Sequence, residues 1–395
     1  MTKKKSPAFL LFMMLMSMTA GAMCLNKVSP IMTLIVKELE LSGSAQAGLL
    51  ISVFVISGIF LAIPIGVIMK KTGFYKMGII ALTAIIIGSG IGAMDISYPL
   101  LLASRVIEGI GLIILTNVGP AVVTAAYGSS GKLGAAMGLL MCFMTFGQII
   151  MLNLAPRLAA YAGWKSIWWL TFVYAAVFLV LWIISLRHID RELTSETPQN
   201  ENIHPKLFPK QVFANWKMWC LGLTFMLYLI AQQGVIAFLP TYLTDVRGVD
   251  ATLAGSMVSA ASFTGIFTAI IVGMISDKIG SRKKPIVVLL LAAAIVYYIF
   301  PHFPTKLFIL IIILYGLAVM GIVGLCISAA SELVAPEHAG MSVAFMNTMQ
   351  WIGIFFSSTV FGKLIDSTGW SGAFYAMVPI SIAAAILTAI IKDLN

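Results

Sequence analysis

Charge is the scarcest property of this sequence. Only 10% of its 395 residues are Asp, Glu, Lys or Arg, and 60% are hydrophobic, whereas soluble globular proteins carry about 25% charged residues. A water-soluble enzyme of this size could not cover its surface with so few charges. A lipid bilayer removes that requirement, because lipid takes the place of polar surface. The mean hydropathy of +1.01 therefore predicts an all-α polytopic membrane protein.

Residues for covalent, metal or nucleotide chemistry are also missing. The four cysteines lie within apolar runs and show no paired spacing, and the four histidines fall in predicted loops. This pattern indicates neither a disulfide framework nor a metal site. There is no phosphate-binding glycine loop and no nucleophile elbow. We therefore predict that the protein is not an enzyme and that it binds neither a metal ion nor another cofactor.

Twelve apolar runs of membrane-spanning length are present, in two sets of six. A polar stretch of linker composition separates the sets, which predicts a first bundle at residues 1–186, a linker at 187–217 and a second bundle at 218–395. The predicted spans are 8–36, 45–69, 77–94, 100–126, 135–160, 166–186, 218–243, 251–275, 285–300, 307–331, 341–364 and 373–391.

The two sets are copies of each other. A shift of 207 positions places residues 47–76 over 254–283, and 13 of these 30 positions are identical, four of them glycine. Chance matching of apolar residues would not align the glycines. Two six-helix halves in parallel repeat are typical of one large class of secondary transporters.

The Lys and Arg residues are distributed unequally between the two sides of the predicted membrane. The net charge is +10, and the bases occur in short clusters between the apolar runs, which does not indicate a nucleic-acid partner. If the N-terminus is inside, 17 Lys and Arg residues lie on the cytoplasmic side and 5 on the other. The positive-inside rule therefore predicts that both termini and the linker are cytoplasmic. We expect a monomer in the plasma (inner) membrane, with the lipid bilayer as its surroundings.

The loops after the second span of each half carry the repeat's most distinctive motif. The second copy reads Gly273-Met-Ile-Ser-Asp277-Lys278-Ile-Gly280-Ser-Arg282-Lys283. This loop resembles the gating motif of the major facilitator superfamily, and the resemblance extends over essentially the whole chain. It implies the twelve-helix fold of that family in two pseudo-symmetric bundles, and it implies that Asp277 latches the loop to a neighbouring helix end.

The first copy of the motif departs from the family pattern. It contains Gly66 and Gly73, but Lys70 stands where the acidic residue belongs. A lysine cannot accept the hydrogen bonds that an aspartate accepts. The gate on that side is therefore expected to be held in another way, or loosely.

Three ionisable residues lie deep within predicted spans: Lys27, Arg105 and Glu108. Such residues are costly in a bilayer and by default indicate function. Arg105 and Glu108 are three residues apart on one helix face, where they can pair. Their segment resembles the family's Arg-x-x-x-Gly-x-Gly motif, which is associated with proton coupling. The alternatives are a structural ion pair for Arg105 and Glu108, and an interfacial snorkelling position for Lys27.

Other polar residues within the spans are candidates for contact with a solute. Asn26 precedes Lys27, and Ser29 and Pro30 follow it, which predicts a helix loosened where it lines water. The remaining candidates are Asn117, Gln148, Asn153, Tyr228, Gln232, Gln233, Asn347, Gln350 and Trp351. Each of these residues could equally connect neighbouring helices.

The cationic excess among Lys27, Arg105 and Glu108 favours a small anion as the solute. We therefore predict uptake of an organic or inorganic anion by alternating access, coupled to protons. Resemblance to cyanate, nitrate/nitrite and monocarboxylate permeases points the same way. The alternatives are an exporter of hydrophobic or cationic compounds and a membrane receptor that does not transport.

The predicted orientation can be tested with single cysteines at Ser195 and Ser371, in a variant that lacks the four native cysteines. An impermeant thiol reagent added to intact cells should label position 371 and leave position 195 unmodified. Labelling of position 195 from outside would reverse the orientation.

Overall fold

The computed structural model describes residues 6–94, 97–127, 133–187, 189–190, 210–304, 307–335 and 338–392, and within them the regular structure is helical. The helices of the first half of the sequence are α1 (Pro7–Asn26), α2 (Met32–Glu38), α3 (Ser44–Ser52), α4 (Ile56–Thr72), α5 (Phe74–Ala93), α6 (Tyr98–Tyr127), α7 (Leu133–Met141), α8 (Phe143–Ala162) and α9 (Lys165–Ser185). Those of the second half are α10 (Lys210–Phe213), α11 (Trp216–Asp245), α12 (Ala251–Ile279), α13 (Lys283–Ile299), α14 (Phe308–Val319), α15 (Ile322–Glu332) and α16 (Ala339–Ile390).

The spans follow the predicted order. Within the described residues, 11 helical segments are long and apolar enough to cross a membrane. The last of them is two helices joined at Gly369, where φ is 72° and ψ is 177°. That backbone conformation is open to glycine and rare for other residues. The break falls between the predicted eleventh and twelfth spans, so the segment accounts for both.

Several spans are interrupted near their middle, which their apolar composition did not predict. The second span changes from α3 to α4 through a 3-10 turn at Val53–Val55. The fifth span divides at Cys142, and the tenth divides between Val319 and Ile322. Mid-span interruptions of this kind are tolerated where the helix is covered by protein.

The first structural unit contains residues 1–31 and 53–204. In it, α5 packs against α6 and α9, and α1 packs against α6 and α8. The side chains between these helices include Trp168 and Trp182, both completely buried. The packing of α1, α5, α6 and α9 brings together the residues of the candidate site described below.

The second structural unit contains residues 32–52 and 205–395. Its main packing is between α11 and α16, and α3 also packs on α16. A side chain at Gly48 would collide with the carbonyl of Ser358, so this glycine permits the close approach of the two helices. The carboxylate of Asp366 accepts hydrogen bonds from the backbone N–H groups of Ser44 and Ala45, both at 2.9 Å.

These contacts place Met32–Ser52 in the second unit, whereas the boundaries drawn from the sequence assign this segment to the first bundle. The difference arises because covalent order does not determine which surface a helix end contacts. Residues 191–209, which form most of the predicted linker, lie outside the described residues.

Candidate functional site

A break in the first span positions Lys27. Helix α1 ends at Asn26, and a 3-10 turn at Ser29–Ile31 precedes α2. Pro30 has no backbone N–H and disfavours helical backbone at the residue before it, so the α-helix does not continue through this point. Lys27 lies at the end of α1 with its side chain completely buried. The loosened helix predicted around Pro30 is therefore present.

Glu108 on α6 lies at the centre of a buried ionic cluster. One of its carboxylate oxygens accepts hydrogen bonds from Lys27 Nζ at 2.5 Å and from Ser89 Oγ at 2.6 Å. The other oxygen accepts a hydrogen bond from Arg105 Nη1 at 2.5 Å. Lys27, Arg105 and Glu108 are each 0% exposed. We refer to these three residues as the ionic triad.

Aromatic rings and a hydroxyl complete the surroundings of the two cations. Lys27 Nζ lies 4.3 Å from the centroid of the Trp168 ring, and Arg105 Cζ lies 4.5 Å from that of Phe54. The face of an aromatic ring attracts a cation and keeps water away from it. Lys27 also donates a hydrogen bond to Thr171 Oγ1 at 3.2 Å.

The two cations of the ionic triad form an anion-binding arrangement, and the Glu108 carboxylate of the protein itself is the anion that they hold. Its formal charge is +1, from two cations and one carboxylate. In a region without water, charges interact far more strongly than in solution. A solute with two or more anionic oxygens could replace Glu108 as the partner of both cations. The described residues include no group of three or more His, Cys, Asp or Glu side chains placed to hold a metal ion.

The loop after α12 is held by a second ionic cluster, which is exposed. Arg282 pairs with Asp277 at 2.5 Å and donates a hydrogen bond to Glu332 on α15 at 2.9 Å. The hydrogen bond to Glu332, followed by that to Asp277, raises the pKa of Arg282 above its ordinary value, so this residue remains a cation. The cluster lines a cavity of about 210 Å³. Gly280 ends α12 with φ at 68°.

The loop after α4 is held by an acidic residue from outside the loop. Gly73, with φ at 84°, separates α4 from α5. The carboxylate of Asp190 accepts hydrogen bonds from the backbone N–H groups of Phe74 at 2.6 Å and Tyr75 at 3.4 Å. The positive end of the helix dipole favours an anion here. The carboxylate of Asp190, at the end of the first half, thus caps the N-terminal end of α5.

Comparison with known proteins identifies the family. The model for the Major Facilitator Superfamily matches residues 8–358. The chain belongs to this superfamily. It is therefore a multi-pass membrane protein of a transporter family, as the sequence predicted.

A solved structure of the superfamily has the same fold. It is a bacterial homolog of the human lysosomal transporter Spinster in an inward-facing and occupied conformation. Its TM-score is 0.79 at 16% sequence identity, and the alignment covers 100% of this chain and 98% of that chain. At this identity, the likeness establishes the fold alone.

Two curated relatives have names that concern phosphorylated solutes. The glycerol-3-phosphate transporter of Bacillus subtilis (strain 168) is 23% identical over 262 residues, which are 59% of this chain and 57% of the relative. A probable hexose phosphate transport protein of Chlamydia trachomatis is 25% identical over 207 residues, 50% of this chain and 44% of the relative. The chain thus spans about half the length of these relatives. The narrower resemblance to cyanate, nitrate/nitrite and monocarboxylate permeases stays a prediction.

In this superfamily member, the contacts among Lys27, Arg105 and Glu108 agree only in part with the sequence prediction. The contact between Arg105 and Glu108 is present, as their spacing of three residues predicted. Lys27, for which the sequence indicated no partner, pairs with the same carboxylate, because the packing of α1 against α6 brings it there. The pair is therefore part of a triad.

The asparagines predicted to contact solute have partners in their own helices. The side-chain amide of Asn26 donates to the carbonyl of Ala22, and that of Asn117 donates to Ile113, both at 2.8 Å. Asn153 makes the same contact with Ile149. An asparagine in a helix reaches the carbonyl four residues earlier without help from another element. Gln148 is half-buried on α8.

In the second unit, the predicted polar residues lie at different depths. The Tyr228 hydroxyl donates to the carbonyl of Val319 at 2.7 Å. Gln232 and Trp351 are buried, and Gln233, Asn347 and Gln350 are half-buried.

The predicted gating residues have the following places. Asp277 pairs with Arg282, which also pairs with Glu332 at the end of α15; the expected latch of Asp277 itself onto a neighbouring helix end stays a prediction. Lys278 is exposed, Lys283 begins α13, and a side chain at Gly273 would meet open space. Gly66 falls within α4, and its surroundings lie outside the described part.

The residues that surround the ionic triad were not predictable from sequence patterns. Ser89, Thr171, Trp168 and Phe54 are each ordinary residues for a membrane helix, and only the fold places them beside the charges. Asp190 was missed because it stands in a polar segment where an acidic residue attracts no notice. A weak indication existed for Ser89, which is a hydroxyl between two glycines in an apolar run.

Replacing Glu108 by Ala should destabilise the protein by about 3–5 kcal/mol, because it leaves two buried cations without their shared carboxylate. The matched control is Glu332→Ala, which removes an arginine-paired carboxylate that is 51% exposed and should cost about 0–1 kcal/mol. Thermal unfolding of the detergent-solubilised protein at pH 7 measures both. Equal unfolding temperatures for the two variants would contradict the interpretation of the triad.

Proposed function

We propose that the protein is a secondary transporter that takes up a small anion across the plasma (inner) membrane by alternating access, coupled to protons. One observation carries the proposal: two buried cations, Lys27 and Arg105, share the single carboxylate of Glu108. Family membership supports transport itself. Both termini are taken as cytoplasmic, on the distribution of basic residues.

The proposed site works by exchange of one anion for another. Two cations without counter-charge are unfavourable in a medium of low dielectric constant. They are stabilised either by ionised Glu108 or by an anionic solute that reaches them. With Glu108 ionised and in place, the site is closed to the solute by its own carboxylate. Solute binding therefore requires that Glu108 release Lys27 and Arg105.

Protonation of Glu108 provides that release. With Glu108 ionised the triad has a formal charge of +1, and with Glu108 protonated it has a charge of +2. An anion binds more tightly to the second state, because the added positive charge attracts it. Linkage makes the effect reciprocal, so a bound anion raises the proton affinity of Glu108. Carrying solute and proton together is symport.

The class of solute is narrowed by the chemistry of the site and by the relatives. Lys27 and the planar guanidinium of Arg105 suit a group with several anionic oxygens. The names of the two curated relatives concern glycerol 3-phosphate and hexose phosphate. We therefore propose a phosphorylated organic solute in preference to cyanate, nitrate or a monocarboxylate.

The alternative, an exporter of hydrophobic or cationic compounds, has less support. Such a transporter needs an intramembrane carboxylate that can face a cation. Within the described spans, Glu108 is the one carboxylate that lies far from the ends of its helix. It already accepts hydrogen bonds from three donors. A cationic solute would have to compete with two permanent neighbours of the same charge.

The anion site is tested by Lys27→Met, which keeps the length of the side chain and removes its charge. Loss of one charge-assisted contact of about 1.5–3 kcal/mol should weaken binding of glycerol 3-phosphate by roughly 10- to 100-fold. The control is Lys392→Ala, which removes an exposed lysine near the end of the described chain. Isothermal titration of the purified proteins measures the affinity. If Lys27→Met binds as tightly as the control, Lys27 contributes no binding charge and the proposed anion site is wrong.

Proton coupling is tested by Glu108→Gln, which holds the site in its +2 state. Exchange of labelled solute between the two sides of a reconstituted vesicle should survive, because binding is intact. Accumulation driven by a pH gradient at zero membrane potential should be lost, because no proton is carried. The wild-type protein in the same vesicles serves as control. Accumulation by the Gln variant would return Arg105 and Glu108 to a structural role.

A further inference from the structure

The +2 state of the ionic triad exists only if Lys27 keeps its own proton. When Glu108 becomes neutral, Lys27 no longer faces an anion, and burial without a partner favours the neutral form of a lysine. Arg105 keeps its proton in such surroundings. If Lys27 lost a proton as Glu108 gained one, the formal charge of the triad would stay at +1. Proton-coupled binding of an anion therefore requires a group that keeps Lys27 an ammonium.

Two groups on α9 contact this ammonium independently of Glu108. The face of the Trp168 ring lies 4.3 Å from Lys27 Nζ. Thr171, one turn further along α9, accepts a hydrogen bond from the same nitrogen at 3.2 Å. Trp168 is 0% exposed and Thr171 is 1% exposed. The face of an aromatic ring attracts a cation more strongly where water is excluded, and this attraction does not depend on the charge of Glu108.

The Trp168 ring is fixed in place by its neighbours. The rings of Trp164 and Trp168 meet edge to face, with centroids 5.0 Å apart and planes at 86°. On α5, a side chain at Gly92 would collide with the indole. Thr171 is also fixed, because its hydroxyl donates to the carbonyl of Trp168 at 3.0 Å and keeps a lone pair for Lys27. The ring face is therefore directed at the ammonium before the carboxylate changes its charge.

The other titratable groups near Lys27 do not supply this support. Those that act on it electrostatically are Glu108, Cys24 on α1 and Arg105 on α6. Arg105 repels the ammonium, and Cys24 is a thiol without charge at neutral pH. The remaining Lys and Arg residues of the helices packed on α1 and α6 lie near helix ends: Lys70 and Lys71 on α4, Lys76 on α5, Arg157 on α8 and Lys165 on α9.

We propose that Trp168 is a positioning residue of the anion site: its ring face keeps Lys27 charged and in place when Glu108 takes up a proton. The ring thereby contributes to the pH below which the site accepts an anion. The inference rests on the proposed function in one respect, because proton uptake by Glu108 is part of that proposal. Phe54 faces Arg105 in the same way, at 4.5 Å, but a guanidinium needs no support to stay charged.

The contact is first tested without a solute, by a double-mutant cycle of Trp168→Leu and Lys27→Met in the full-length protein in detergent. In the wild-type background, Trp168→Leu removes both packing and the attraction between ring and ammonium. In the Lys27→Met background it removes packing alone. We therefore expect a smaller fall of the unfolding temperature in the Lys27→Met background. Equal falls in the two backgrounds would show that Trp168 only fills space and would overturn the inference.

The role of the ring in proton-coupled binding is tested by the affinity for glycerol 3-phosphate as a function of pH. Trp168→Leu should move the midpoint of this profile to lower pH by about one unit, and Trp168→Phe should move it less, because Phe attracts a cation more weakly than Trp. The ionisation of the ester itself is the same for every variant and cancels in the comparison. An unchanged midpoint in Trp168→Leu would contradict the proposed role.

The matched control is Trp182→Leu. Trp182 is a second completely buried tryptophan of α9, and its indole donates to the carbonyl of Tyr75 at 3.1 Å. Its removal should lower the unfolding temperature, because packing and a hydrogen bond are lost, and should leave the midpoint unchanged. A midpoint shifted as far as in Trp168→Leu would assign the shift to general loosening of the bundle, against the inference.

Lys27→Arg provides a background in which position 27 needs no support, because an arginine keeps its proton. Trp168→Leu should leave the midpoint unchanged in this background, and an equal shift in both backgrounds would overturn the inference. If Lys27→Arg does not fold, fluorinated tryptophan at position 168 replaces it. Fluorine weakens the negative face of the ring with little change of shape, so the midpoint should fall with each added fluorine. A midpoint independent of fluorine would refute the role of the ring.

The inference and the proposed function can fail separately. If glycerol 3-phosphate does not bind to the wild type at any pH and the double-mutant cycle shows coupling, the solute proposal fails and the support of Lys27 by Trp168 stands. If the wild type binds the ester more tightly at low pH and Trp168→Leu has the same midpoint, the proton-coupled site stands and the role of Trp168 is wrong.

Discussion

The attraction between Glu108 and its two cations is the interaction on which the site and the packing around it depend. Lys27 and Arg105 are 78 residues apart in the sequence. Without the carboxylate they would repel each other and resist burial. Glu108 resolves both problems with two oxygens, since each oxygen takes one cation at 2.5 Å. The same force that stabilises α1 against α6 is the force that an anionic solute would use. A site of this kind cannot bind its solute without first giving up part of its own stability.

The helices around the triad are shaped to allow such close contact. A side chain at Gly88 on α5 would collide with the side chain of Glu108, and one at Gly92 would collide with Trp168. Without a hydrophobic driving force between helices in lipid, small residues are what allow backbones to approach. The carboxylate is thereby enclosed on the α5 side, and Ser89 between these glycines reaches it with a hydroxyl. Enclosure excludes water, and this makes the charge state of Glu108 decisive for the site.

The sequence predicted the parts of this site that have a local signature. Charged residues within apolar runs stand out, so Lys27, Arg105 and Glu108 were recognised, and a spacing of three residues predicted that the last two would pair. Pro30 predicted the break after α1. The contact between Lys27 and Glu108 could not be predicted in this way, because it joins helices whose relative position only the fold determines. The roles of Asn26 and Asn117 stay predictions: the amide nitrogen of each donates to a carbonyl of its own helix, a contact that an isolated polar residue in a span can make without a solute. The fold as a whole was predictable because twelve apolar runs and one internal repeat leave few alternatives.

The difference between the two repeats has a consequence for energy coupling. The equivalent of Glu108 in the second half is Tyr315, which does not take up or release a proton at physiological pH, so the proposed cycle carries one proton. A phosphate monoester has a charge of about −1.5 to −2 at pH 7. If the dianion moved inward with one proton, one net negative charge would enter the cell against a potential that is negative inside, at a cost of about 2.3 kcal/mol per 100 mV. One pH unit returns about 1.4 kcal/mol for the proton, which does not offset that cost. The monoanion with one proton is electroneutral, and a pH gradient alone then drives it. A single buried carboxylate therefore suits either uptake of the singly charged ester with a proton or exchange of one ester for another anion, and the protonation state of the solute decides between them.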